Sequence, residues 1–593
     1  MNGLTCFRLL AAVSGALFLG GCVDSLPDAP AADGGLDGDA TATPDGGFDG
    51  AAPAEAGASD GPSSDAPASD APAASFTFTL APPRVNVIRG HSASIDVTVV
   101  PAAGFAGDVT LSASGLPSGV TLSPQVIPGG TTSGTLTLQA SSLAALTVDA
   151  QFSISASATG AAPPPSVSVP LIVQDPPGTL DVTFGTSGVA VLPVYALNPT
   201  GGIEAVAIQP DGKIVYCGDA PYQGSYYLLL GRLNVDGTPD PTFNPTGGPT
   251  PPGDNAVPPG MVVLLPSSTR SFVCTGLAVL PSKEIAMSGF LNLNGQNHAM
   301  FVAEFTAAGA FDPNFGGGAG YVPLWTNDVD SKPYGFLVQS NGDLVVAGNL
   351  GANPAIARLL PTGSPDTSFA PATADGGAGF DTFASFSGAF GPMAALPNGD
   401  WLAGSGAELV AISSATGAVD STFGPSSGVL SASQFGVNGN ALAVESDGSA
   451  IFVGSTTAAP TSIEMVRFNG LGQLVTGFGT QGIATLAIPG GSASAGSVAA
   501  AADGTIVLGA TLPGAASLGV VRTTAMGALD TTFAGVGYAG IPQADGSVTQ
   551  SGPIVALDAA GRIVVATLIE ISGGTFDAGM YGNPAVQVAR FWP

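Results

Sequence analysis

Ile208 to Gly218 reads IQPDGKIVYCG, and Gly231 to Phe243 reads GRLNVDGTPDPTF. Together they hold three elements: a tight turn feeding an apolar strand, a strand carrying an arginine, and an Asp-x-x-Phe turn. All three recur down the chain. The Asp-x-x-Phe turn appears at Asp181/Phe184, Asp240/Phe243, Asp312/Phe315, Asp366/Phe369, Asp420/Phe423 and Asp530/Phe533, with a degenerate copy at Val475/Phe478. Phe-to-Phe spacings are 59, 72, 54, 54, 55 and 55 residues. The tight turn returns at Asn341-Gly342, Asn398-Gly399, Asp447-Gly448, Asp503-Gly504 and Gly561, and Ser282-Lys283-Glu284-Ile285 is a worn copy. Asp-Gly and Asn-Gly predict type I′ hairpins, since both central residues there need positive φ. The strand after each turn mostly ends in glycine (Gly218, Gly289, Gly348, Gly404, Gly454, Gly509), which suggests close packing near a central axis. The arginine recurs at Arg232, Arg358, Arg467, Arg522 and Arg590.

Several short strands per repeat of about 50–60 residues make propeller blades rather than helical solenoids. LDVTFG, IQPDGKIVYCG and GRLNVDGTPDPTF resemble the delta-60 repeat family of bacterial β-propellers, across residues 178–593. That resemblance implies a fold and an exported location, and no reaction. The repeat starts in mid-blade at Leu180 and ends on an arginine strand, Val586 to Phe591, with no Asp turn after it. Joining the two ends completes one blade and predicts seven in all. The insertion Pro245 to Gly260 accounts for the long spacing and reads as a projecting loop.

Upstream, residues 76–175 alternate apolar residues with Ser or Thr in seven short runs, from FTFTL (76–80) to SVSVPLIV (166–173). This is the pattern of an immunoglobulin-like β-sandwich, without the Cys and Trp of antibody domains. The reading is therefore all-β: a seven-bladed β-propeller preceded by an immunoglobulin-like sandwich and a disordered tether. The tether, residues 22–75, has 11 acidic side chains, no Lys or Arg, and nothing to build a core from. Its random-coil reach is about 40 Å. Asp37-Gly38-Asp39 fails as a calcium loop, because Thr41 and Phe48 stand where an EF-hand needs oxygen ligands.

Residues 1–21 read as a lipoprotein signal peptide: Arg8, then the apolar run Leu9 to Leu19. It leads into Leu19-Gly20-Gly21-Cys22, which resembles the bacterial lipobox and makes Cys22 the lipidation site. Val23 follows where enterobacterial lipoproteins retained at the inner membrane carry Asp, so the outer membrane is the expected address. Two further thiols, Cys217 and Cys274, lie 57 residues apart inside predicted strands and read as buried free cysteines, in a compartment that permits disulfides.

A net charge of −30 with only 13 Lys and Arg leaves no basic face for nucleic acid. Only two histidines exist. His91 sits at a turn, and His298 reads as a loop residue without a Ser or carboxylate partner. Neither supports a Ser hydrolase or a zinc site. Three Trp cannot dock quinoprotein blades, and arginines held to one repeat position do not form a sialidase-like cluster. The recurring Asp reads as a turn-fixing acceptor rather than a calcium ring. No cofactor, metal or catalytic residue is assigned. The expected function is a monomeric, non-catalytic binding or scaffolding module, lipid-anchored, with a protein, glycan or envelope polymer as partner. The rival is an envelope hydrolase or lyase with paired carboxylates in the axial pocket. Cys22→Ser is expected to move the protein from the membrane to the soluble fraction; unchanged fractionation would remove the lipid assignment.

Overall fold

The computed structural model describes residues 75–593 except 103, 194–200, 223–224, 247–256, 258, 265–270, 293–297, 326–328, 370–378, 387, 406–407, 425–427, 432–437, 457–458, 515–517, 543–547, 550–551 and 572–582. Cys22, the signal segment, nearly all of the tether and most of the Pro245–Gly260 insertion lie outside the described residues. The protein is all-β.

Residues 76–174 form two facing sheets around one core. The first orders Phe76–Ala81, Ser92–Pro101, Ser133–Ala140 and Val120–Leu122; the second orders Val85–Ile88, Val167–Gln174, Thr147–Ser157, Val109–Ser114 and Gln125–Ile127. The alternation in the sequence becomes burial of every second residue. In Ser133–Ala140 the buried positions are Leu136, Leu138 and Ala140, while the residues between them face water. Val120–Leu122 and Gln125–Ile127 are strands additional to the seven runs read from the sequence, because three residues are too few to show a period.

From residue 202 onward the strands gather into antiparallel sheets, each built from neighbours in sequence. Sheets I to VI cover 202–264, 271–323, 331–382, 393–431, 438–486 and 494–540. Sheet VII takes Val548–Thr549, Ile554–Leu557 and Ile563–Ile571, then Asn583–Phe591, and its last strand is Val189–Pro193 from the far end of the chain. The first strand of each sheet packs on the first strand of the next, and Ile554–Leu557 of sheet VII packs on Gly202–Ile208 of sheet I. The sheets therefore close a ring. Because both faces of each sheet are covered, second strands read as unbroken apolar runs. Leu344 to Asn349 are all buried, in contrast to the alternating sandwich strands.

The turns differ in type from the expectation. At Gln209–Lys213 the amide of Gly212 donates to Gln209 O at 2.8 Å and that of Gln209 to Lys213 O at 2.8 Å. Only Gly212 has positive φ, at 81°. This is a type I turn closed by a G1 bulge, not a type I′ turn, so one left-handed residue suffices. In the worn copy Lys283 takes that conformation, with φ 70°. Gly218, Gly289, Gly348, Gly454 and Gly509 each lie opposite a bulge in the first strand. The register slips between Ile203 and Ala205, and a Cβ on Gly218 would fall 2.1 Å from Gly202 O.

Cys217 and Cys274 are joined in a disulfide that ties the second strand of sheet I to the first strand of sheet II. The free-thiol expectation is thereby corrected. Two strands of different sheets bring the cysteines to a Cα separation of 6.2 Å, which spacing in sequence does not reveal.

The ring closes through the C-terminus. Val189 pairs with Ala589 and Pro193 with Ala585, Asp181 N donates to Arg590 O at 2.8 Å, and Trp592 exchanges backbone bonds with Gly178 and Thr179. Deleting residues 584–593 would bare the edges of Ile563–Ile571 and Val189–Pro193 together. The expected result is loss of the cooperative melting transition with aggregation; a truncated chain melting like the parent would contradict the shared sheet.

Candidate functional site

The ionisable residues of the ring are concentrated where the third strand of each sheet turns into the fourth. In sheet I, Asp240 Oδ1 accepts the Thr242 amide at 3.0 Å and its hydroxyl at 2.8 Å, which shapes the turn. Asp240 Oδ2 accepts Arg232 Nε at 2.6 Å and Lys213 Nζ at 2.7 Å. Arg232 then reaches out of its own sheet, donating from Nη1 to Ala307 O of sheet II at 2.7 Å. Its guanidinium lies 4.7 Å over the Phe243 ring. Phe243 is fully buried, and a Cβ on Gly309 of sheet II would fall 3.0 Å from that ring. One Asp and one Arg thus fix a turn and fasten it to the next sheet.

The arrangement repeats. Arg358 pairs with Asp366 and bonds Ser414 O in sheet IV, Arg522 pairs with Asp530, and Arg590 pairs with Asp181. Arg590 also donates to Val235 O of sheet I at 2.5 Å. Backbone bonds follow the same path: Gly185 N to Asp236 O, Asn244 N to Ala308 O, Gly316 N to Thr362 O, and Ala534 N to Pro177 O. The turn-fixing reading of the Asp is correct, and the arginine column completes it. Burial alone would push the carboxyls of Asp240, Asp366 and Asp530 up. Hydrogen bonds from the turn residue and the basic side chains outweigh burial and hold all three below the usual carboxylate range.

Three sheets depart from the pattern. Sheet IV has Ala411 in the arginine column, and Asp420 caps its turn with no cation beside it among the described residues. Sheet V lost its Asp at Val475, and Arg467 Nε lies 2.7 Å from Glu445 Oε2 on the neighbouring hairpin instead. Sheet II reverses the charge. Strand register aligns Glu304 with Arg232 and Glu284 with Lys213, so Asp312 faces two carboxylates where Asp240 faces two cations. Oxygens of Glu284, Glu304 and Asp312 all lie within 4.8 Å of one another. Glu304 and Asp312 are each 5% exposed, while Glu284 is half-buried. Burial first, then the charges of Glu284 and Asp312, push the Glu304 carboxyl up to about 7. Sequence reasoning passed over this cluster. The available signal was the repeat itself: Ala303-Glu304-Phe305 stands where Gly231-Arg232-Leu233 is expected.

His298 is not a loop residue. It opens the third strand of sheet II, with Nδ1 2.5 Å from Asp330 Oδ1. Asp330 arrives from the segment leading into sheet III, a proximity that only the ring creates. The adjacent Ser331 Oγ accepts the Met300 amide at 3.0 Å, so it is engaged with backbone. His91 is exposed.

Residues 209–243, 339–369 and 501–533 match a family described as a domain of unknown function (DUF5122) β-propeller. The repeat is a β-propeller repeat. The matched segments of this propeller belong to sheets I, III and VI, where hairpin, arginine and Asp-x-x-Phe follow one another unbroken. No curated protein matches the chain. Among solved structures, a protein of unknown function from Dyadobacter fermentans is 12% identical, covering 68% of this chain and 100% of its own, with a TM-score of 0.33. A Hadza microbial sialidase is 8% identical, covering 86% and 99%, with a TM-score of 0.31. A DUF4784 family protein from Bacteroides caccae is 10% identical, covering 79% and 96%, with a TM-score of 0.24.

Removing one partner of a buried ion pair strands the other charge. Arg358→Ala should therefore cost about 3–5 kcal/mol in urea unfolding, while Asp420→Ala, with no guanidinium to strand, should cost about 0.5–1.5 kcal/mol. Because the folded-state pKa values of Asp240, Asp366 and Asp530 are depressed, their stabilisation is fully present above about pH 4 and is lost as pH falls through the folded values. Arg358→Ala should flatten that acid limb, and an unchanged limb would contradict the pairing.

Proposed function

We propose that the chain is a lipid-anchored envelope protein in which a seven-bladed β-propeller, preceded by an immunoglobulin-like module, serves as a non-catalytic binding or scaffolding platform. The closed and latched ring carries this reading. Its recurring arginines join sheet to sheet, and the connecting loops offer the surface on which a partner would dock. Such a disc presents a rigid surface to a partner at little entropic cost.

The address rests on Cys22 at the end of an apolar signal and on the Cys217–Cys274 disulfide, a bond that persists outside the reducing cytosol. The acidic tether, with a reach of about 40 Å, would hold the propeller off the bilayer, with the outer membrane favoured by Val23. The protein acts as a monomer, and its partner is a protein, a glycan or an envelope polymer.

The test is capture of envelope components and of an arrayed glycan panel by the purified chain. Saturable, competable binding without consumption of the bound polymer is expected. Turnover of any such polymer, abolished by replacing one acidic residue in the axial channel, would replace this reading with the hydrolase or lyase.

A further inference from the structure

We infer that the sandwich of residues 76–174 is a rigid strut, clamped to the propeller by Arg89 and Asp175, so that the two modules move as one body. The inference goes beyond the proposed platform and stands whether or not the ring binds a partner. The joint between the modules is short. The last sandwich strand, Val167–Gln174, ends immediately before Asp175, and Pro176-Pro177-Gly178-Thr179 leads into the ring.

The torsions of that joint are restrained one after another. The rings of Pro176 and Pro177 fix φ at both residues, and a following proline confines Asp175 and Pro176 to extended ψ. Pro176 O accepts the Thr179 amide at 3.1 Å and its hydroxyl at 2.6 Å, and Gly178 has a φ of 80°. This is a type II turn, with proline and glycine at the central positions that it favours. The turn is seated in the ring. Pro177 O accepts the Ala534 amide of sheet VI at 2.9 Å, and Gly178 N donates to Trp592 O at 3.0 Å. A Cβ on Gly178 would fall 2.5 Å from Ala534 N, so the chain lies close against that sheet.

On the sandwich side, Arg89 N donates to Gln174 O at 2.8 Å. The Arg89 guanidinium then takes both carboxylate oxygens of Asp175, with Nε 2.5 Å from Oδ1 and Nη2 on Oδ2. Two parallel bonds fix orientation as well as distance. The two side chains are 23% and 16% exposed, so the pair adds little to stability and acts on geometry. Strand order sets the length of the strut. Val85–Ile88 runs parallel to Val167–Gln174 and ends beside the joint, and Ser92–Pro101 leads away from it. Phe76 pairs with Pro101 at the far end. The 10 residues of Ser92–Pro101 span about 30 Å at about 3.3 Å each, so the chain enters the strut about that far from the ring.

Distances between spin labels on Val100→Cys and Leu471→Cys of the full chain test the strut. Val100 is 54% exposed near the far end of the sandwich, and Leu471 is 58% exposed on the propeller. The Cys217–Cys274 disulfide offers no thiol to the label, and singly labelled chains identify any signal from Cys22. The parent chain should give one narrow distance distribution. Inserting Gly-Gly-Ser-Gly between Asp175 and Pro176 makes a flexible-linker reference and should broaden it roughly threefold. Arg89→Ala should broaden it roughly twofold while both modules melt as in the parent. Arg89→Lys, which keeps the charge without the paired bonds, should fall between the two. A parent distribution as broad as that of the insertion would overturn the rigid joint. An Arg89→Ala distribution as narrow as the parent's would overturn the clamp.

Discussion

A carboxylate buried beside a guanidinium is costly unless every lone pair and every N–H finds a partner. The ring meets that condition by dividing the work of each Asp. One oxygen closes its own turn through the amide and hydroxyl two residues on, and the other receives the arginine from the preceding strand. The arginine keeps a free arm, which crosses to a backbone carbonyl of the following sheet. A local turn and a long-range joint are thus made by the same pair. Phe184, Phe243 and Phe369 lie beneath those guanidinium groups and are sealed from water. The polar joint is therefore backed by apolar burial.

The joint recurs in four of the seven sheets, and backbone hydrogen bonds between neighbouring sheets add to it. The ring tolerates departures: Glu304 in sheet II, Ala411 in sheet IV, and Glu445 as the partner of Arg467 in sheet V, where Val475 replaces the turn Asp. Closure places a different demand on the ends of the chain. Val189–Pro193 and Asn583–Phe591 must find each other across nearly 400 residues. At the closing joint Asp181 receives two arginines, Arg562 and Arg590, as Asp240 receives Arg232 and Lys213.

Much of this was legible beforehand because the repeat was counted rather than each strand guessed. The Asp-x-x-Phe turns, the arginine column and the half-repeat at each end lie where the motifs placed them. The errors have local causes. Asp-Gly pairs suggested type I′ turns, yet the bulge that accompanies each hairpin needs one left-handed residue only. Val120–Leu122 and Gln125–Ile127 are too short to show alternation. Three contacts were not legible. Cys217 meets Cys274 and His298 meets Asp330 between neighbouring sheets, and Glu284, Glu304 and Asp312 meet within sheet II, where a hairpin packs beside the turn after the third strand.

The amino-acid sequence by itself determined the β character, the period of the repeat, and which residues turn and which are buried, because those properties depend on side-chain alternation and turn chemistry within a few residues. It also carried the signal-like apolar run ending at Cys22. The tertiary structure decided where charges meet. Arg232 and Glu304 occupy one register position in two sheets, and only the packing of strand against hairpin shows that the first answers a carboxylate and the second adds to a cluster of them. Electrostatic energy depends on separations of a few ångströms across the fold, and residue order does not encode those separations directly.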